Sequence, residues 1–153
     1  MYTKINEKDS AMKLGAIYSK EKTTFTLFSP VADSVFVIFY DKGNDSAETG
    51  RLEMMRGEGE LRSIFSATAE GNLDGVYYTY EVHTADGTFS SHDPYARACG
   101  VNGHRSMVID LSKTDPDGFA DEDRPKLADP MSMVITEVSI VDAVSYTHLR
   151  AHE

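Results

Sequence analysis

Short runs in which apolar and polar residues alternate, separated by turn-forming residues, most constrain the fold of this 153-residue chain. The clearest run is Val76 to His83, which places four side chains on one face of a strand: Val76, Tyr78, Tyr80 and Val82. Ser34 to Tyr40 is apolar on both faces and rich in β-branched and aromatic residues, which predicts a central strand. Asp86 and Gly87 supply the turn of a hairpin. The pattern predicts an all-β domain.

The remaining strands have weaker signals, and turn residues separate them. They are predicted over Thr23–Phe28, Leu52–Met55, Ile64–Ala67 and Ser106–Leu111, with a return strand that opens at Phe89. Strands that recur about every 8–12 residues, without a convincing helix, are typical of an antiparallel sandwich. We therefore predict an immunoglobulin-like β-sandwich over residues 12–112, preceded by a flexible N-terminus at residues 1–11.

The composition changes after this domain. Thr114 to Asp129 is acidic, rich in Pro and Gly and poor in apolar residues, so we assign a linker to residues 113–132. Met133 to Val141 is apolar and β-branched and predicts one more strand, the truncated start of a second domain at residues 133–143. The last ten residues, Val144 to Glu153, resemble a translated frame of the transposase adapter used in short-read DNA library preparation. We interpret residues 144–153 as an artefactual tail.

Net charge and cysteine content limit the kinds of partner and the cellular compartment that the sequence predicts. The formal net charge of −10 argues against a nucleic-acid partner and against an anionic membrane, because both are polyanions. The single cysteine, Cys99, allows no intramolecular disulfide, which fits a reducing compartment. Met1 to Ser10 has no apolar core of a signal peptide, and no stretch approaches the ~20 apolar residues of a membrane span. These features predict a cytoplasmic protein with neutral partners such as glycans.

No residue pattern indicates a metal or cofactor site. The carboxylates of the linker lack the spacing of a calcium-binding loop: Asp115, Asp117, Asp121 and Asp123. The histidines and the cysteine show no zinc-ligand spacing: His83, His92, His104 and Cys99. The sequence also lacks a Gly-rich phosphate loop and a nucleophile elbow. We therefore expect no cofactor and no metal.

Four motifs carry a family resemblance. The first is Leu14–Ala16 followed by Phe25–Pro30, and the second is Asp74–Tyr80. The third combines Asp93–Ala96, Gly100–Gly103 and Arg105–Ser106, and the fourth is Val134–Asp142. Together they resemble the amino-terminal early-set domain, carbohydrate-binding module family 48, of type I pullulanases and related debranching enzymes. The fourth motif is similar to the first strand of the catalytic barrel of that family.

The resemblance implies a non-catalytic module of an alpha-1,6-glucan debranching enzyme. The catalytic carboxylates of the family lie on later barrel strands, after residue 143, so this chain contains no catalytic residue. The implied partners are the missing catalytic barrel of the same polypeptide and alpha-glucans such as pullulan, glycogen and starch dextrins. The sequence departs from the family pattern at Phe28 and Phe65, where tryptophan is usual, and at Thr136 and Val141.

Two groups of candidate site residues follow. Tyr77 and Tyr95 could stack on sugar rings, whereas Tyr78 and Tyr80 lie on the alternating face and fit a core. The block before the linker resembles a surface that shapes contact with the barrel: Asp93, Pro94, Tyr95, Asn102 and Arg105. A free-standing alpha-glucan-binding module and a purely structural immunoglobulin-like interaction domain remain alternatives. The predicted strand at residues 133–141 disfavours a free-standing module.

Overall fold

The computed structural model describes residues 13–123 and 129–138 of the chain. These residues divide into two units, with the boundary between Asp115 and Pro116. The predicted N-terminal segment 1–11 and the predicted tail 144–153 lie outside the described residues. The described strands and the buried core cluster all belong to the first unit.

Nine antiparallel strands build the first unit within the described residues. They are β1 (Gly15–Tyr18), β2 (Lys22–Phe28), β3 (Ser34–Tyr40), β4 (Glu48–Arg56), β5 (Ile64–Glu70), β6 (Tyr77–Thr84), β7 (Gly87–Ser91), β8 (Ala98–Cys99) and β9 (Ser106–Met107). Three single 3-10 turns accompany the strands, at Gly59–Leu61 between β4 and β5, at Val101–Gly103 between β8 and β9, and at Leu111–Lys113 after β9.

The strand order is β1-β2-β5-β4-β3-β6-β9-β8, and β7 pairs with β6. Strand β4 connects the two layers, because Glu48 to Met54 pair with β3 whereas Met55 and Arg56 pair with β5. This switch curls the strands into two faces around one core. The predicted all-β, immunoglobulin-like early-set fold is confirmed.

The core lies between the two layers and consists of alternate side chains of the strands, together with Ala32 and Val108 from the segments beside them. Its buried members are Phe25, Leu27, Ala32, Val35, Val37, Met54, Phe65, Tyr78, Tyr80 and Val108. The predicted core face of β6 is confirmed for Tyr78 and Tyr80, which are fully buried, and for Val82, which is partly buried. Val76 precedes the strand, and Thr79 on the opposite face is also buried. Strand β3 is central, as predicted, with β4 on one side and β6 on the other.

Three local differences from the sequence prediction have physical causes. Strands β1 and β8 were not predicted, because each is short and is defined by pairing with a neighbour. Strand β9 ends at Met107 rather than Leu111, because the pairing with β6 becomes irregular there: the amide of Val108 donates to the carbonyl of Val76, but its carbonyl accepts from the amide of Gly75. The carboxylate of Asp110 then accepts from the amide of Ser112 and starts a 3-10 turn.

In the second unit, the described residues form two 3-10 turns, Phe119–Asp121 and Pro130–Ser132. The strand predicted from Met133 is not formed over residues 133–138, where the structure assigns no regular element. A strand needs a neighbour to bond with, and these residues have none in the described chain. The rest of the predicted strand lies outside the described residues. No described helix is both long and apolar enough to traverse a bilayer.

Candidate functional site

Two loops of the first unit meet at a glycine-to-glycine contact. A Cβ atom added to Gly100 would lie 2.5 Å from the Cα of Gly43, and one added to Gly43 would lie 3.1 Å from the ring of Tyr77. Neither position therefore has room for a side chain. The contact joins the loop after β3 to the loop before β9.

Arg105 fixes the same two loops with its guanidinium group. Its Nη1 donates to the carbonyl of Lys42 at 2.7 Å and to the Oγ of Ser46 at 2.8 Å, and its Nη2 donates to the carbonyl of Ser46 at 2.9 Å. The guanidinium carbon lies 3.5 Å from the centre of the Tyr40 ring, a cation–π distance. Because the guanidinium is planar and has several donors, it can stack and form these bonds together.

A cleft of about 300 Å³ opens beside Arg105. Its lining is mostly polar: Asn44, Asp45, Val101, Asn102, His104 and Arg105. Asp45 and Asn102 both have a positive φ, 47° and 53°, which their short polar side chains tolerate better than most residues. The amide, carboxylate and imidazole groups can donate to or accept from hydroxyl groups. We name these six residues the Arg105 cleft.

Asp93 is a buried hydrogen-bond centre, with only 3% of its surface exposed. Its Oδ2 accepts from the hydroxyls of Tyr78 at 2.7 Å and Tyr80 at 3.2 Å. Its Oδ1 accepts from the amide of Tyr95, and its own amide donates to the Oγ of Ser106. Burial, followed by the charge of Asp93, raises the pKa of both phenols. Asp93 therefore holds the turn before β8 against the core.

Pro94 and Tyr95 present the exposed side of that turn. The Tyr95 side chain is 49% exposed, and a Cβ added to Gly15 of β1 would lie 2.8 Å from the Cβ of Tyr95. Tyr77 is half-buried and lies against Gly43 at the other loop. In the described part of the chain no ring contact joins Tyr77 to Tyr95. The two tyrosines lie against different glycines, Tyr95 at Gly15 and Tyr77 at Gly43.

The five residues predicted for the barrel contact thus have different environments. Asp93 is buried and Arg105 is half-buried, so both act mainly by holding turns. Pro94, Tyr95 and Asn102 are exposed and available to a partner. The two phenylalanines at which the family usually has tryptophan differ in the same way. Phe65 is buried in the core, whereas Phe28 is 53% exposed on the outer face.

Sequence reasoning did not identify Tyr40, Lys42 and Ser46, which complete the Arg105 contacts. Their only sequence signal is the turn composition after β3, which does not show what the turn meets. It also did not identify the exposed network at the end of the first unit, where Asp74 accepts from Lys113 and from the amide of Asp110. The hydrogen bond from Lys113 lowers the pKa of Asp74.

Comparisons with known sequences agree with this architecture. The family model of carbohydrate-binding module 48, the isoamylase N-terminal domain, matches residues 13–96. Pullulanase A of Streptococcus pneumoniae serotype 4 is 31% identical over 116 residues, which are 71% of this chain and 9% of that protein. The pullulanase of Bacillus subtilis is 30% identical over 98 residues, which are 63% of this chain and 13% of that protein.

Solved structures give the same result. The apo pullulanase of Paenibacillus barengoltzii matches with a TM-score of 0.73 and 34% identity, over 82% of this chain and 19% of that one. The pullulanase of Bacillus acidopullulyticus matches with a TM-score of 0.70 and 35% identity, over 77% of this chain and 14% of that one. This chain therefore spans less than a fifth of each of these four proteins. Because the family model covers more than half of the described sandwich and of the chain, this protein belongs to the carbohydrate-binding module 48 family.

Proposed function

We propose that this chain is the non-catalytic amino-terminal module of a type I pullulanase-like debranching enzyme, and that it contacts alpha-glucan weakly through the Arg105 cleft. The proposed glucan contact is supported mainly by the residues that line this cleft. It combines polar side chains of Asn44, Asp45, Asn102 and His104 at loops held by Arg105. Loops fixed in this way offer hydrogen-bonding groups to sugar hydroxyls at a low entropic cost.

Sugar complexes of related pullulanases support a glucan as the ligand class. The pullulanase of Paenibacillus barengoltzii was solved with maltohexaose and alpha-cyclodextrin, and that of an Anoxybacillus strain with maltotriose. These sugar complexes were observed for those related proteins. For this chain we expect weak binding, because it has no tryptophan and its tyrosines offer less area for stacking on sugar rings.

The same proposal includes a contact between this module and the catalytic barrel of a longer polypeptide. Its candidate surface is the exposed turn at Pro94 and Tyr95, whereas Asn102 lies in the Arg105 cleft that we propose for glucan. Asp93 holds this turn rigidly from beneath, so the turn presents a fixed shape. We further propose a cytoplasmic location, which the exposed free thiol of Cys99 suits.

Titration of the isotope-labelled chain with maltoheptaose, followed by NMR, tests the glucan contact. We expect saturable shifts at Asn44, Asp45, Asn102 and His104, with a dissociation constant weaker than the low micromolar range. Asn102→Ala is the test variant, and Thr88→Ala, on a strand away from the cleft lining, is the matched control. Shifts elsewhere, or none at millimolar sugar, would refute the assignment. Release of maltotriose from pullulan by the pure chain would refute the non-catalytic role.

A further inference from the structure

We propose that two copies of this chain associate by pairing their β7 strands edge to edge, in antiparallel orientation, about a two-fold axis at Phe89. The proposal concerns only the first unit and is independent of the glucan contact. It begins with the exposure of β7. In the described part of the chain this strand pairs with β6 on one side only, and all five of its residues are exposed.

The register of the hairpin shows which backbone groups point outward. The two-residue turn Ala85–Asp86 joins Thr84 and Gly87, so these two residues form a hydrogen-bonded pair. In an antiparallel ladder such pairs alternate with non-bonded ones. Phe89 therefore bonds to Val82, whereas the amides and carbonyls of Thr88 and Ser90 point away from β6. These groups are available to another strand.

Strand β7 lacks the features that normally protect an edge. Edge strands usually carry lysine or other charges, proline or a bulge, which discourage pairing with another chain. The sequence from Gly87 to Ser91 is Gly-Thr-Phe-Ser-Ser, with no charged residue and no proline. Its pairing with β6 runs through all five residues without a register shift. Nothing in the strand opposes an incoming partner.

A second copy fits this edge because the strand is self-complementary. If Phe89 of one copy lies opposite Phe89 of the other, then Thr88 of each copy lies opposite Ser90 of its partner. The outward amides and carbonyls then form two hydrogen-bonded pairs, with four backbone hydrogen bonds in total. A two-fold contact of this kind uses the same surface on both copies and forms a closed dimer. No like charges meet across the axis.

The side chain of Phe89 supplies the apolar part of the contact. Phe89 pairs with Val82, so its ring lies on the core side of the sheet, yet 53% of it is exposed. Residues opposite each other in a non-bonded pair bring their side chains closest together. The two Phe89 rings would thus cover each other at the axis. Aromatic cross-strand pairs are among the stabilising pairs in sheets.

Sedimentation velocity of the full chain over a range of concentrations tests the proposal. We expect the wild-type sedimentation coefficient to rise toward the dimer value with concentration. Ser90→Pro removes one outward amide and leaves the β6–β7 ladder intact, so it should weaken association at least tenfold. Ser90→Ala, which keeps the amide, should associate as the wild type does. A thermal melt establishes that each variant is folded.

A charge-swap experiment tests the axis itself. Phe89→Lys and Phe89→Glu should each remain monomeric, because the pairing places like charges opposite each other. An equal mixture of the two variants should form a heterodimer. A monomeric wild type at every concentration, association that survives Ser90→Pro, or a mixture that stays monomeric would each overturn the proposal.

Discussion

The carboxylate of Asp93 accepts a hydrogen bond from the hydroxyl of Tyr78 at 2.7 Å, inside the sandwich. Tyr80 donates to the same oxygen, so one buried charge satisfies two phenols of strand β6. The other carboxylate oxygen accepts from the backbone of Tyr95, in the exposed turn. This arrangement couples the centre of the core to the turn that we propose as the partner surface.

Asp93→Ala should destabilise the fold strongly. It would leave two buried phenolic hydroxyls without their acceptor, at a cost of roughly 3 kcal/mol or more in the free energy of unfolding. Chemical denaturation measures the loss. The control is the Tyr78→Phe, Tyr80→Phe double variant, in which Asp93→Ala should cost less, because no hydroxyl is then left unsatisfied. An equal cost in both backgrounds would contradict the coupling.

The stability should fall at alkaline pH because of the same two tyrosines. Burial and the charge of Asp93 raise the pKa of Tyr78 and Tyr80 in the folded chain, so the unfolded chain loses these protons first. Their contribution to stability is complete below their usual pKa near 10 and decreases as the pH rises above it. Denaturation between pH 9 and about 11.5 should show a steeper loss for the wild type than for the double phenylalanine variant. Parallel curves would contradict this prediction.

Gly100→Ala should destabilise the first unit by roughly 1–3 kcal/mol, because the new methyl group would overlap the backbone of Gly43. Gly50 offers a matched control, since the nearest atom to an added Cβ there is 4.0 Å away, in Phe39. Gly50→Ala should cause no loss, or a gain of up to about 1 kcal/mol. Thermal denaturation of both variants decides the point. A Gly100→Ala variant as stable as the wild type would show that the loops can separate freely.

Arg105→Lys should lower the free energy of unfolding by about 1–2 kcal/mol and shift the NMR signals of Asn44 and Asp45. Lysine keeps the charge but cannot both stack on Tyr40 and reach Lys42 and Ser46. Arg97→Lys is the control, because Arg97 is exposed, and its effect should stay within about 0.5 kcal/mol. If both variants behave like the wild type, Arg105 does not hold the loop.

The sequence predicted features that depend on the local periodicity of apolar residues. It did not predict contacts between loops that are far apart in the sequence. A period of two placed Tyr78 and Tyr80 on the buried face, because successive side chains of a strand point to opposite sides. The contact of Gly43 with Gly100 arises only when the curled sheets bring their loops together. Strand β1 contains only Gly15 to Tyr18, and its pairing with β2 defines it better than its composition does.

For the site residues too, the sequence identified individual residues but not their long-range contacts. Turn composition and family resemblance selected Asn102 and Arg105, and the structure places both in one cleft. The sequence could not show that the guanidinium of Arg105 is already occupied by Lys42 and Ser46, since those contacts lie in another loop. It could not show either that Asp93 is buried, because a lone aspartate before a proline more often marks an exposed turn.

Cutting the chain after Asp115 should leave the melting temperature within about 2 °C of the full-length value and should improve solubility. Every member of the buried core cluster lies between Phe25 and Val108, so the cut removes none of them. It does remove Val134 and Ile135, which are 90% and 83% exposed and β-branched, a composition that favours aggregation.

A cut after Ser112 is the comparison, because it also removes Lys113, which donates to Asp74. That exposed contact should contribute little, so the second cut should lower the melting temperature only slightly further. Scanning calorimetry and the concentration at which each chain precipitates measure the two effects. A fall of many degrees after the cut at Asp115 would mean that later residues belong to the core of the sandwich.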